Sequence, residues 1–259
     1  MTALALRMID ADLLKLRKKR GTVIWTMVLA FAPVVLLFVV KAIQHSSTPL
    51  QHGPAGGTAG FTDGLRLLGL FFGPLAAVLI GVEAGTGDHS AGVWRDLVVT
   101  GRSRVGLFAS RVPAALALCW TVMLVGYGLV LIGSYAFAAE LPTPDAALVL
   151  NGILFTLMAT GVVCVIAVGF ASLTTSKPAA VTALIGWQLV ASPLLANIGS
   201  LGSAREALLS QAIAHFSPVR LGDRGSSVTL SQGTALLVLV VWLAAFTALG
   251  AWRSRTMDA

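Results

Sequence analysis

The stretch TVIWTMVLAFAPVVLLFVV, residues 22–40, contains no charged side chain. A helix needs about 20 apolar residues to cross the hydrocarbon core of a bilayer, which is the length of this stretch. The rest of the chain has the same character, because hydrophobic residues make up 56% of its 259 residues and charged residues only 11%. Soluble domains carry about a quarter charged residues, so we expect this chain to lie in a membrane.

Five more apolar stretches are long enough to span. They occupy residues 65–82, 112–138, 146–173, 178–198 and 230–252. With the first stretch, they predict an all-α membrane protein in which residues 1–259 form a single domain with six transmembrane helices. Pro33 and Pro74 lie inside the first two stretches and are expected to kink them. The connector 44–64 is rich in Gly, Pro, Ser and Thr and is expected to be loose.

The distribution of basic residues predicts the orientation. With the N-terminus inside, the cytoplasmic segments 1–21, 83–111, 172–177 and 253–259 carry 6, 4, 1 and 2 Lys or Arg, which is 13 of the 18. Basic residues collect on the cytoplasmic side, so both termini are expected in the cytoplasm and the protein in the cell membrane. The first apolar stretch is long enough to span and has no small-residue cleavage site after it, so no signal peptide is expected.

Residues 1–21 have the pattern of an amphipathic helix. Its apolar stripe is Leu6, Ile9, Leu13 and Leu16, and the basic run that follows is Arg17, Lys18, Lys19 and Arg20. This pattern predicts a cytoplasmic interfacial helix that lies on the inner leaflet with its cations on anionic headgroups. The alternative is a charge cluster that only fixes the topology.

The predicted outer loop 199–229 contains AREALLSQAIAHF, residues 204–216, whose apolar positions share one helical face. This segment is too short and too charged to span. We expect a short outer-side helix between spans five and six, which lies on the outer leaflet or dips back between the spans.

The stretch GDHSAGVWRDLVVTGRSR, residues 87–104, concentrates charge in a chain that otherwise avoids it. Its first half predicts a short helix with Trp94 and Leu97 on one face. Gly101 is expected to end this helix, and Ser103 to cap a second helix that leads into span three. The pattern fits two interpretations equally well. One is a cytoplasmic protrusion that binds a soluble partner, and the other is a polar loop whose basic residues only follow the positive-inside rule.

This order of features resembles the permease subunit of ATP-binding-cassette exporters of the second type. In that family an amphipathic cytoplasmic helix precedes six spans, and a coupling loop joins spans two and three. The family's loop pattern runs from an acid through Gly-Thr and a Leu-rich helical turn to Pro, any residue, Ser-Arg and a basic residue seven positions later. The matching positions here are Gly92, Trp94, Leu97, Ser103, Arg104 and Arg111, with Gly101 in the place of Pro and His89, or its neighbour Asp88, in the place of the acid.

The resemblance implies a loop that docks on a separate ATPase. The docking residues would be His89, Gly92, Trp94, Arg95, Asp96, Leu97, Gly101, Arg102, Ser103 and Arg104. Two ATPase subunits would hold ATP and Mg²⁺, and this chain would bind no cofactor. Two permeases would pair, each with a copy of itself or with a homologous chain, and nucleic acid is not an expected partner. We interpret Arg111 as an interfacial anchor.

The chain lacks the motifs that catalysis would need. It contains no G-x-x-x-x-G-K-[ST] phosphate loop, no metal-ligand spacing among its four His, and no G-x-S-x-G nucleophile. We therefore do not expect an enzyme. Acidic residues are absent from the middle of every predicted span, which disfavours ion-coupled transport. An ATP-independent transporter or channel, and a membrane anchor or sensor for a cytoplasmic partner, stay as alternatives.

Polar residues are scarce within and beside the predicted spans. The candidates for a substrate path are the polar residues Asn151, Thr156, Gln188, Ser192 and Asn197, together with Phe216. Such residues also bond to neighbouring helices, which is the interpretation we favour for most of them. A path this apolar suits export of an amphiphilic or hydrophobic cargo, such as a drug, a peptide antibiotic or a lipid. Gly69 and Gly73 form G-x-x-x-G, a spacing that is common by chance.

Overall fold

A computed structural model of the protein describes residues 2–90, 92, 103–174, 176–219 and 230–256. Among these residues 87% lie in helices and none lies in a β-strand. Six helices in this part of the chain are long and apolar enough to cross a membrane, which confirms the predicted number. They are span one, Arg20–Ser47; span two, Gly57–Asp88; span three, Arg104–Ala136; span four, Ala146–Thr174; span five, Lys177–Asn197; and span six, Gln232–Thr256.

Spans two and five are each interrupted by a π-helical segment just before a proline. In span two the α-helix Gly57–Arg66 passes through the π segment Leu67–Phe72 into the α-helix Gly73–Ser90. In span five Lys177–Gly186 passes through Trp187–Ala191 into Ser192–Asn197. A proline ring clashes with the carbonyl four residues earlier, and the wider π turn makes room for it.

The prolines of spans one and two therefore have different consequences. Pro74 is the second residue after the π segment of span two, so the irregularity expected there takes the form of a π turn. Pro33 lies inside a helix that runs without interruption from Arg20 to Ser47.

The connector between spans one and two is shorter and more closely packed than predicted. Span one continues to Ser47 and span two begins at Gly57, well before residue 65. The Gly56 N–H donates to the Phe137 carbonyl at 2.8 Å, and a Cβ on Gly56 would lie 2.4 Å from the Phe137 carbonyl carbon. Glycine is needed here because two backbones meet closely, so a composition typical of a loose loop encodes a packed junction.

The core lies where span two packs against span four, and glycines line this contact. A Cβ on Gly81 would lie 2.5 Å from the Cys164 carbonyl oxygen, and a Cβ on Gly85 would lie 2.6 Å from the Ala171 Cβ. Gly69 and Gly73 precede them on the same face at multiples of four residues, against span four side chains. Small residues let two helix backbones approach closely, so the G-x-x-x-G pattern marks a real interface.

The N-terminal helix, Thr2–Lys18, packs mainly against span three, with Lys19 as the only residue between it and span one. Ile9 and Leu13 pack against the core and Leu16 is buried, whereas Leu6 is 61% exposed. Most of the apolar stripe that we assigned to the leaflet thus faces the protein. Exposed positions on this helix and after it include Leu4, Leu14 and the basic run Arg17, Lys18, Lys19 and Arg20.

The predicted helix 204–216 is shorter in the structure. Leu209–His215 is α-helical and follows a set of 3-10 turns, Gly199–Ala207, that bends at Gly202. Leu209 and Ile213 are buried, and the helix packs against span six. The apolar face therefore covers the bundle.

Candidate functional site

Ionic side chains cluster where the N-terminal helix meets spans two and three. We call this end of the bundle the N-terminal face, because it holds the N-terminal helix and the last turn of span six. Arg111 Nη2 lies 2.8 Å from Asp88 Oδ2, and Arg111 Nη1 donates to the Gly85 carbonyl at 3.3 Å. Arg111 is only 3% exposed. A buried arginine needs a paired carboxylate, so this pair fixes span three to span two.

The N-terminal helix joins this pair through Lys15. Its Nζ lies 3.2 Å from Asp88 and 3.1 Å from Asp12, and the Ser110 hydroxyl donates to Asp12 at 2.6 Å. Burial lowers the pKa of Lys15, but Asp88 and Asp12 raise it by more, so the net pKa lies above its ordinary value. We call Asp12, Lys15, Asp88, Ser110 and Arg111 the Asp88 cluster. It ties the N-terminal helix to both ends of the loop region 87–111.

A second cluster surrounds the carboxylate of Glu83, which is 3% exposed. Lys177 at the start of span five pairs with Glu83 Oε2, and the Thr22 hydroxyl donates to the same oxygen at 2.9 Å. Lys19 Nζ lies 3.8 Å from Oε1. We call these four residues the Glu83 cluster. It joins spans one, two and five at the N-terminal face.

The two clusters share a cavity of 240 Å³ between the N-terminal helix and spans two and three. Lys15, Lys19 and Arg111 supply its cations, and Asp12, Glu83 and Asp88 supply its anions. Each of these charges lies in an ion pair with an opposite charge. The charges around the cavity therefore balance, and their ion pairs join the N-terminal helix to spans two and three.

Part of the predicted docking loop can be located. Trp94, Arg95, Asp96, Leu97, Gly101 and Arg102 lie outside the described residues. Gly92 is exposed with φ of +69°, a left-handed conformation that suits glycine. Ser103 accepts from the Gly106 N–H at 3.1 Å and so caps the helix of span three, as the sequence predicted. Arg104 donates to the Arg255 carbonyl at 3.3 Å, next to the C-terminal end of span six.

One sequence interpretation at this face needs correction. Arg111, which we interpreted as an interfacial anchor, is buried and paired with Asp88. Asp88, one of the two candidates for the acidic position of the loop pattern, meets a cation. The side chain of the other candidate, His89, lies outside the described structure. The pair joins residues 23 positions apart, which a local pattern cannot reveal.

The sequence analysis missed Glu83 and Lys177. It ended span two at residue 82 because a charge follows, but the helix continues past Glu83 to Ser90. The available signal was that the end of span two and the start of span five lie on the same predicted side of the membrane. An acidic residue directly after span two and a lysine directly before span five can then form an ion pair.

The predicted path residues do not converge. Thr156 and Asn197 bond to carbonyls of their own helices, and the Ser192 hydroxyl lies 2.6 Å from the Ser210 hydroxyl. Gln188 is half-buried in the π segment of span five. Asn151 and Phe216 share a cavity, a groove of 440 Å³ that they line with apolar residues of spans four and six. Most of these side chains thus serve helix structure and packing.

The opposite end of the bundle, which we call the far face, has its own charge cluster. Lys41 Nζ of span one lies 2.5 Å from Asp63 Oδ2, and Arg66 Nη1 lies 3.4 Å from Asp63 Oδ1. Span two thus carries ion pairs at both of its ends.

Metal ligands do not cluster in the described part of the chain, where no three His, Cys, Asp or Glu side chains come together. Cys119 and Cys164 are buried free thiols within spans three and four. The chain matches no protein-family model, and a comparison with curated proteins likewise finds no match.

Proposed function

We propose that this protein is the permease subunit of an ATP-driven exporter of the second type. The observation that carries the proposal is the Asp88–Arg111 pair, since these residues occupy the acidic and basic positions at the two ends of the coupling-loop pattern. The order of an N-terminal helix, six spans and a charged loop after span two supports the same assignment.

The geometry around the loop suits mechanical coupling. Asp88 holds its first end, and the Ser103 cap begins span three at its second end. Lys15 ties the N-terminal helix to the same carboxylate. A force on the loop would therefore reach spans two and three and the N-terminal helix together, as a two-state packed bundle requires.

Within the loop, Trp94 and Leu97 would supply the apolar contact with an ATPase, and Arg95, Asp96 and Arg102 a charged rim that selects it. Two ATPase subunits would bind ATP and Mg²⁺, and two permease copies would pair in the membrane. The N-terminal face would then be cytoplasmic, and the membrane would be the cell membrane.

An amphiphilic or hydrophobic cargo fits the surfaces of the bundle. Spans one, five and six are mostly exposed and apolar, so they can face lipid, a second permease or such a cargo. The groove lined by Asn151 and Phe216 offers one polar group within an apolar wall, the composition that suits an amphiphile.

Co-purification from native membranes in a mild detergent tests the proposal. The wild-type chain should bring down a soluble ATPase with phosphate-loop motifs in about equal amount. The variants Arg95→Glu and Arg102→Glu should recover less ATPase, because charge reversal at a rim slows association. Arg205→Glu reverses a charge at the far face and should recover it as the wild type does.

Recovery of the folded chain without an ATPase would refute the proposal and favour an ATP-independent transporter or channel, or a membrane anchor. Equal recovery with all three variants would show that the loop does not select the partner. Each variant must elute as a monodisperse membrane protein for its recovery to count.

A further inference from the structure

Span five consists of two parts with different surroundings. Its first part, Lys177–Gly186, packs against spans two and four, and Ala180 within it is fully buried. Its last part, Ser192–Asn197, packs against the 3-10 turns Gly199–Ala207 that follow it, and Leu194 is 60% exposed. The first part therefore contacts two other spans, whereas the last part packs mainly against the chain that follows it.

The first part is fastened at its start. Lys177 reaches across to the buried Glu83 carboxylate and also donates to the Thr22 hydroxyl at 3.3 Å. The last part is held to the neighbouring helix through the hydroxyls of Ser192 and Ser210. A hydrogen bond to a charged group contributes more to stability than one between two neutral hydroxyls, so these two fastenings differ in strength.

The π segment Trp187–Ala191 separates the two parts. A π turn widens the helix, and the proline at position 193 lacks the N–H that would reinforce it, so bending is concentrated here. The Trp187 and Trp242 rings, with centroids 6.1 Å apart, hold the start of the π segment against span six.

The π segments of spans two and five lie at matching depths. Leu70 precedes Glu83, and Leu189 follows Lys177, by between three and four helical turns in each case. At 1.5 Å per residue these separations are about 20 Å and about 18 Å. Because Glu83 and Lys177 are paired, both π segments stand at nearly the same height above the N-terminal face. The irregular turns of the two antiparallel helices thus form one level in the bundle.

We propose that span five is a two-part lever, in which the Lys177–Glu83 pair latches the first part to span two and the π segment Trp187–Ala191 lets the last part swing independently at the far face. This proposal does not depend on the source of energy, so it applies to a permease driven by an ATPase and to a transporter without one. Its moving part is the chain from Ser192 to Asn197.

Two positions report on the two parts separately. Ala180→Cys reports on the first part, where the side chain is buried, and Ala196→Cys on the last part, where it is half-buried and leaves the Ser192–Ser210 hydrogen bond intact. Each is labelled with N-ethylmaleimide in native membranes, on the full-length chain, with the labelling of the parent chain subtracted for its two native cysteines. Val181→Cys replaces Ala180→Cys if that variant does not insert.

Lys177→Met should raise the labelling rate of Ala180→Cys about tenfold, the factor that follows from losing one charged hydrogen bond. It should change the rate at Ala196→Cys less than twofold. Lys177→Arg, which keeps the charge, should leave both rates unchanged. Ser210→Ala removes the partner of the Ser192 hydroxyl and should do the reverse of Lys177→Met, raising the rate at Ala196→Cys and leaving the rate at Ala180→Cys unchanged.

A parallel rise at both reporters with Lys177→Met would show one rigid helix and overturn the lever. An unchanged rate at Ala180→Cys would overturn the latch. An unchanged labelling rate at Ala196→Cys in the Ser210→Ala variant would show that the last part is held by more than one side-chain contact, which also overturns the proposal.

Discussion

Gly81 leaves no room for a side chain, so Gly81→Ala measures how tightly span two packs on span four. The added Cβ would lie 2.5 Å from the Cys164 carbonyl oxygen and 2.6 Å from the Ala167 Cβ. Carbon and carbonyl oxygen meet without overlap at about 3.3 Å, so the backbones must separate by about 0.8 Å. Neither atom is the end of a flexible side chain, and overpacking of this kind costs about 1–3 kcal/mol.

The two native cysteines supply the assay. Cys119 and Cys164 are fully buried, so a thiol-reactive fluorophore reports unfolding as the purified protein is heated. For a chain of this size the cost corresponds to a Tm lower by about 2–12 °C. Gly128→Ala is the matched control, because its Cβ meets nothing within 4 Å and alanine favours the helix. If Gly81→Ala and Gly128→Ala have the same Tm, the close approach of spans two and four is wrong.

Three further predictions concern the N-terminal face and the orientation. Arg111→Met should lower stability by about 3 kcal/mol because it strips the buried Asp88 of its arginine, and adding Asp88→Asn should restore part of this loss; additive losses in thermal melts would contradict the pairing. Because the pKa of Lys15 is raised in the folded protein, the stability that its ion pairs contribute is complete below the ordinary pKa of 10.5. This stability is lost as the pH rises above that value. The wild type should therefore lose more stability than Lys15→Met between about pH 9 and about pH 11.5, and equal losses in the two melts would refute the linkage. Leu50→Cys, at a fully exposed position, should react with an impermeant maleimide in whole cells while Ala3→Cys does not, and the opposite result would invert the topology.

The number of spans could be read from the sequence because the hydrophobicity of a stretch long enough to cross the bilayer is a local signal. The limits of the spans could not, since a charged residue ends an apolar run in the sequence but not in the structure. Span two shows this most clearly, because Glu83 and Asp88 continue its helix. Both are tolerated there because each meets a cation from another part of the chain.

The candidate site was only half visible for the same reason. The loop pattern pointed to the region 87–111, and the Ser103 cap is a local feature that the sequence predicted correctly. The pairs of Asp88 with Arg111 and of Glu83 with Lys177 join residues 23 and 94 positions apart. Such pairs depend on how the helices are arranged, and one sequence does not specify that arrangement.

Ion pairs and hydrogen bonds at both ends of spans one and two limit the ways in which these helices can move. Asp63 and Glu83 of span two are held to Lys41 and Thr22 of span one, and the two residues on each span are separated by nearly the same length of helix. That length is about 30 Å, the thickness of the hydrocarbon core. Piston-like sliding by one turn would break the contacts at both membrane surfaces at once. Spans one and two therefore form a unit of fixed length, and we expect the two helices to tilt together in a thinner bilayer.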